Sequence, residues 1–123
     1  MARPTLLVAE PEPIQALSTR KLMLESAKFN VLTAHTGGEF LELVKRFPQV
    51  DCAIVHSQIN DLPCAVLLKW ARDLNPRVTT VFLASTPGAA CQGADHVVSS
   101  HQPDALLKIV RETFGDPRAI DGM

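Results

Sequence analysis

The feature that most constrains this chain is an alternation. Short apolar runs take turns with stretches of helical periodicity over nearly its whole length. Thr5-Leu-Leu-Val-Ala9 is apolar on both faces, as a strand buried inside a parallel sheet must be. Val31–Ala34, Cys52–Val55 running into His56, the β-branched stretch Val78–Ala84, and Asp95–Ser99 repeat that signature. Helices are predicted between them. Pro13 opens the first, to about Ala27, with Ile14, Leu17 and Leu24 on one side. Thr36 and Glu39 have capping-box spacing, and Phe40, Leu43, Val44 and Phe47 follow at i, i+3, i+4, i+7 until Pro48. Pro63 starts a third helix, with Asp61 as its expected cap and Leu67, Trp70, Ala71 and Leu74 facing inward, and Asn75-Pro76 ends it. Pro103 lies in the first turn of the last helix, with Leu107, Val110 and Phe114 inward and Gly115 as the stop. Strands alternating with helices through right-handed crossovers give an α/β fold, a parallel sheet covered on both faces.

The 123 residues suffice for one domain with a sizeable core, and 46% of them are hydrophobic. Residues 1–114 read as the domain, and 115–123 as a flexible tail of Gly, Pro and charge without periodicity. A net charge of −1 argues against a nucleic-acid partner, which calls for a basic surface. The apolar runs are too short to span a membrane, and the first residues lack a signal-peptide layout, so a cytoplasmic location is expected. Three cysteines (Cys52, Cys64, Cys91) with no C-x-x-C pair read as reduced, mostly buried thiols. Tyrosine is absent altogether.

In such a sheet the chemistry belongs beyond the carboxyl ends of the strands. The segments there are Ala9-Glu-Pro-Glu12, Val55-His-Ser57, Leu83-Ala-Ser85 and Ser99-Ser-His101. A nucleotide or flavin phosphate needs a loop rich in free backbone N–H groups. Two carboxylates and two prolines at Glu10–Pro13 repel one instead.

These segments also carry a resemblance. Leu6-Leu-Val-Ala-Glu-Pro-Glu-Pro13 resembles the opening of a response regulator receiver domain, where a strand enters an acidic cluster. Val31–Glu39 resembles that family's second strand and helix start, Asp51-Cys-Ala-Ile-Val-His56 its third strand, Gly93-Ala-Asp-His-Val-Val98 its "G-A-D-D-Y-L" stretch, and Pro103–Leu107 the entry to its last helix. The resemblance covers Thr5 to about Phe114. It implies a CheY-like, flavodoxin-like doubly wound sheet of five strands in the order 2-1-3-4-5. It also implies two-component signalling, in which a histidine kinase phosphorylates an Asp beside a bound Mg²⁺.

The departures fall in the chemistry. His56 stands at the acceptor position, and the acidic pair reads Glu10 then Pro11. Ala84 takes the place of the fourth-strand hydroxyl, with Ser85 one residue on. Ser100 replaces the lysine, His101 the proline after it, and Val97 the aromatic of the fifth strand, where the missing tyrosine would have been. Mg²⁺ wants an octahedron of oxygens, and one carboxylate is left, so no metal or other cofactor is expected. Without metal and lysine, nothing offsets phosphoryl charge in the transition state. His56 itself reads four ways: a neutral, hydrogen-bonded remnant, a phosphorylated nitrogen, a metal ligand with Glu10 and His101, or a pH-sensitive contact beside Glu10. His35 and His96 read as surface residues.

The stretch Ala84–Gly93 is also short for the family, so the helix between the fourth and fifth strands is expected to be shortened or missing. Apolar surface around Val97 and Val98 would then be exposed unless a loop covers it. The expectation is a stand-alone degenerate receiver, not an enzyme, that binds a protein partner without phosphorylation. A homodimer through the face of that helix, the fifth strand and the last helix is the other partner considered. The alternative function is a phosphoryl carrier using His56.

Overall fold

The computed structural model describes residues 3–11 and 19–116, and only the backbone of Thr19 and Leu22. The elements are β1 (Thr5–Ala9), α1 (Thr19–Ser26), β2 (Asn30–Ala34), α2 (Gly37–Arg46), β3 (Cys52–His56), α3 (Cys64–Leu74), β4 (Thr79–Ala84), β5 (His96–Ser99) and α4 (Pro103–Phe114). The strands form one sheet in the order β2-β1-β3-β4-β5, and every pairing is parallel. The doubly wound α/β architecture is therefore as expected. The stretch expected to open α1, with Pro13, Ile14 and Leu17, and the tail from Pro117 on lie outside the described residues. No helix among the described residues is long and apolar enough to cross a membrane.

Period-2 alternation sorts the strand residues into two cores. Leu7, Ala9, Ala53 and Val55 meet Phe40 and Val44 of α2 and Leu67, Leu68 and Ala71 of α3. On the opposite face Leu6, Val8, Ile54 and Leu83 meet Leu24 of α1 and Leu106 and Val110 of α4. Each large apolar side chain buried this way is worth about 1.5–3 kcal/mol.

Three helix details differ from the sequence reading. In α3 the inward stripe is Leu67, Leu68 and Ala71, while Trp70 is 41% and Leu74 40% exposed. An i, i+3, i+4 pattern fits two neighbouring stripes, and the helix turns its smaller residues to the sheet. Trp70 lies at the rim, where the Lys45 ammonium sits 5.0 Å from its ring centre. In α4 the fully buried pair is Leu106 and Val110, with Leu107 and Phe114 only partly buried. Phe47 caps α2 and is exposed.

Asp61 does not cap α3, whose N-cap Pro63 has no side-chain hydrogen bond. The loop after β3 folds over the start of α2 instead. There the Asp61 carboxylate accepts from the Gly37 N–H at 2.7 Å and the Gly38 N–H at 3.1 Å. Glycine at 37 suits this close approach, since a Cβ would stand 3.1 Å from both Asp61 Oδ1 and Leu62 Cβ and push them back. These N–H groups hold the Asp61 carboxyl below its ordinary value. Thr36 caps α2 as expected, its Oγ1 accepting from the Glu39 N–H at 3.1 Å, but the Glu39 carboxylate reaches back to the His35 N–H.

The β4–β5 crossover contains no helix among the described residues. Its loop is held by other means, and one of them corrects the thiol reading: Cys64 and Cys91 form a disulfide, and only Cys52 is free. No short spacing marks this pair, because the two residues are 27 apart in sequence. The fold brings the start of α3 and the loop to a Cα–Cα distance of 6.2 Å. A polar network does the rest. Buried Thr80 donates its hydroxyl to the Gly93 carbonyl at 2.7 Å, and its N–H to Asp95 at 2.9 Å. Arg72 pairs with Asp95 at 3.2 Å and also reaches Thr80 Oγ1 and the Gly93 carbonyl. Burial works to raise the Asp95 carboxyl, but the Thr80 N–H and Arg72 outweigh it and hold the group below its ordinary value. Val97 is 50% exposed as anticipated, whereas Val98 is buried on the α4 side.

Candidate functional site

Parallel strands end together, so the residues that follow β1, β3, β4 and β5 converge. The β1 end supplies Glu10, whose N–H continues the ladder to the Ala34 carbonyl at 2.9 Å. This turns its carboxylate into the domain, where it is 5% exposed. A buried carboxylate demands a counter-charge. Arg20, from the first turns of α1, provides it: Nη1 forms an ion pair with Glu10 Oε2. Its Nη2 donates to the Ser100 carbonyl at 3.3 Å, so one guanidinium ties the β1 end to the β5 end. Burial pushes the Arg20 guanidinium down from its ordinary value.

His56 closes β3 and is almost fully buried. Its Nδ1 accepts from the Gln58 N–H at 3.0 Å, which fixes the neutral tautomer with the proton on Nε2. Burial first, then the charges of Arg20 and His101, hold its protonation below the ordinary value near 6.5. It is therefore not a group poised at neutrality by Glu10. The Glu10 charge is engaged by Arg20, and the Arg20 charge disfavours a second positive charge on the imidazole.

A hydroxyl pair bridges β3 and β4. The Ser57 and Ser85 Oγ atoms are 2.6 Å apart, and the Ser85 N–H donates to Ser57 Oγ at 3.1 Å. Ala84, at the end of β4, is buried, and its carbonyl accepts from the Ser100 N–H at 2.8 Å. His101 is exposed and donates from Nε2 to the Ser85 carbonyl at 3.2 Å. Beside it opens a cleft of about 390 Å³ lined by Ser85, Pro87, Ala89, Val97, Ser99 and His101. It occupies the sheet face that a crossover helix would cover.

Glu10, His56, Ala84 and Ser100 are thus brought to one end of the sheet, with Pro11 next to Glu10 and half-buried. Val97 lies one strand-width away, at the cleft. His35 is half-buried, its Nδ1 bonded to the Glu10 carbonyl at 3.3 Å, and His96 is also half-buried. Among the described residues no group of three His, Cys, Asp or Glu side chains could hold a metal ion. The residue that sequence reasoning missed is Arg20. Its signal was partial: a lone carboxylate buried at a strand end must find a cation, but the first helix offers both Arg20 and Lys21.

No family model and no curated protein matches this chain. Solved structures do match it in fold. A CheY-like response regulator receiver domain from Methanospirillum hungatei is 21% identical, with a TM-score of 0.72, over 92% of this chain and 94% of that one. A receiver domain protein from Clostridium thermocellum is 18% identical, with a TM-score of 0.75, over 97% and 98%. The receiver domain of a sensor histidine kinase from Pseudomonas aeruginosa, solved with magnesium in its active site cleft, is 17% identical, with a TM-score of 0.74, over 93% and 99%. The fold of this chain is that of the response regulator receiver domains.

Proposed function

We propose that this chain is a degenerate receiver: a module of two-component-type signalling that binds a protein partner without being phosphorylated. The observation that carries the reading is the Arg20–Glu10 ion pair at the strand ends. The carboxylate that resembles a metal ligand is already neutralised by a guanidinium that also grips the Ser100 carbonyl. Mg²⁺ takes oxygen ligands in a near-octahedral array. Among the described residues the donors here are one ion-paired carboxylate and an imidazole whose Nδ1 serves Gln58, and this set does not fit Mg²⁺. On this reading no cofactor is needed and no catalysis occurs, and the place of work is the cytoplasm. The partner, a protein or a second copy, meets the face built by the β4–β5 loop, β5 and α4, where Val97 is exposed.

The test is incubation with Mg²⁺ and acetyl phosphate, followed by intact mass. The expected result is an unchanged mass. An adduct of 1:1 stoichiometry that His56→Ala abolishes, labile in acid and stable in alkali, would overturn the reading in favour of a histidine phosphoryl carrier.

A further inference from the structure

We propose that Cys64 and Cys91 are a thiol–disulfide exchange site, taken by a dithiol reductant, and that their bond controls whether the β4–β5 loop is docked. Three observations meet here. The disulfide joins the first residue of α3 to the middle of the one crossover that lacks a helix. The loop contributes little apolar burial of its own, chiefly Cys91 with Ala89 and Ala94 packed alongside. Cys64 is partly exposed, so an incoming thiolate can reach its sulfur, while Cys91 is buried.

The exchange balances as follows. One thiolate of the dithiol attacks Cys64 Sγ, the S–S bond breaks, and Cys91 Sγ leaves with the electron pair and takes up a proton. The second thiolate attacks the mixed disulfide and displaces Cys64 as a thiolate. That sulfur sits at the α3 N-terminus, where Pro63 gives no side-chain cap and the helix dipole favours negative charge, and it then takes a proton. Two electrons and two protons pass from the dithiol, which becomes a disulfide. In the oxidised state the loop is pinned to α3, beside the Arg72–Asp95–Thr80 network. In the reduced state the loop is free to leave, and buried Phe82 and Ala84 open beside the already exposed Val97. That this changes partner binding rests on the function proposed above. The exchange itself does not.

The experiment uses the full chain, poised with either dithiothreitol or oxidised glutathione. Each state is alkylated natively with iodoacetamide and weighed intact, and amide hydrogen exchange is followed in parallel. Buried Cys52, whose thiol is pushed up by burial, provides an internal control that reacts only after denaturation. The oxidised form should take no label and the reduced form two. On reduction, exchange across residues 85–95 should rise at least about tenfold while β1 and β3 stay protected. Cys64→Ser should match the loop exchange of the reduced form in either buffer. Labelling of both thiols under oxidised glutathione, equal loop exchange in the two states, or loss of protection in β1 and β3 together with the loop would each overturn the proposal. None of these readouts depends on the acetyl phosphate result, so the two readings fail separately.

Discussion

The sheet is crossed in two ways on the same face. Between β3 and β4 the chain lays down α3, and Leu67, Leu68 and Ala71 seal the strands by apolar burial. Between β4 and β5 it lays down a loop, which keeps its place through one covalent bond and a cluster of directed polar contacts around Thr80. The difference is one of cooperativity. An apolar stripe is broad and forgiving, and losing one methyl leaves the rest in contact. A directed network has few members, each needed by the others. The helix-covered side is therefore expected to set the global stability of the domain. The looped side is where local opening should begin.

The largest effect expected is on the helix side. Phe40→Ala removes a fully buried ring and should cost about 3–5 kcal/mol in urea unfolding. A cost below that of the polar-network variants would break the contrast. Arg20→Ala takes the guanidinium away from the buried Glu10 carboxylate and should cost roughly 3 kcal/mol. Adding Glu10→Gln should recover most of that loss, because no buried charge then remains. Thr80→Val keeps the volume but removes the hydroxyl that donates to the Gly93 carbonyl and accepts from Arg72 and the Asp95 N–H, at about 0.5–1.5 kcal/mol per bond lost. Hydrogen exchange should place that loss in the β4–β5 loop first.

The fold was legible because periodicity is a one-dimensional signal. Leu6–Ala9 and Cys52–Val55 are apolar without interruption, and the observed order β2-β1-β3-β4-β5 places both among its three inner strands. The loss of the crossover helix was legible too, as missing length. What escaped were pairings across the fold. Cys64 and Cys91 carry no spacing signal, and Asp61 looked like the cap of the helix next to it in sequence rather than of α2 behind it. Arg20 escaped for the same reason: nothing in its neighbours says that its guanidinium turns inward to Glu10. Trp70 misled by size, since a large ring reads as core while its helix presents smaller residues to the sheet.

A pH experiment sharpens the contrast at lower amplitude. The folded state holds His56 below its ordinary value near 6.5, so between those two values the unfolded chain binds more protons. Stability should be full above about pH 6.5, fall as the pH drops toward the folded value, and level off below it. His56→Gln should flatten that window. Asp61 and Asp95, both held below their ordinary values, act only at lower pH, and their contribution is lost as carboxylates protonate. The smallest effect is expected at Lys28, which follows α1 with φ +73°. Lys28→Gly relieves a left-handed backbone and should gain less than about 1 kcal/mol.

The strand order has a consequence for how the chain comes together in time. β1 can pair with β2 once both have emerged, and β3, β4 and β5 can then each join at the same growing edge in the order they are synthesised. No strand waits for a neighbour that emerges after its own outer partner, so the sheet can assemble vectorially, with few chances for a wrong insertion. The last strand brings the Ser100 carbonyl to Arg20, and so the clasp across the strand ends closes only when the rest of the sheet is already in place.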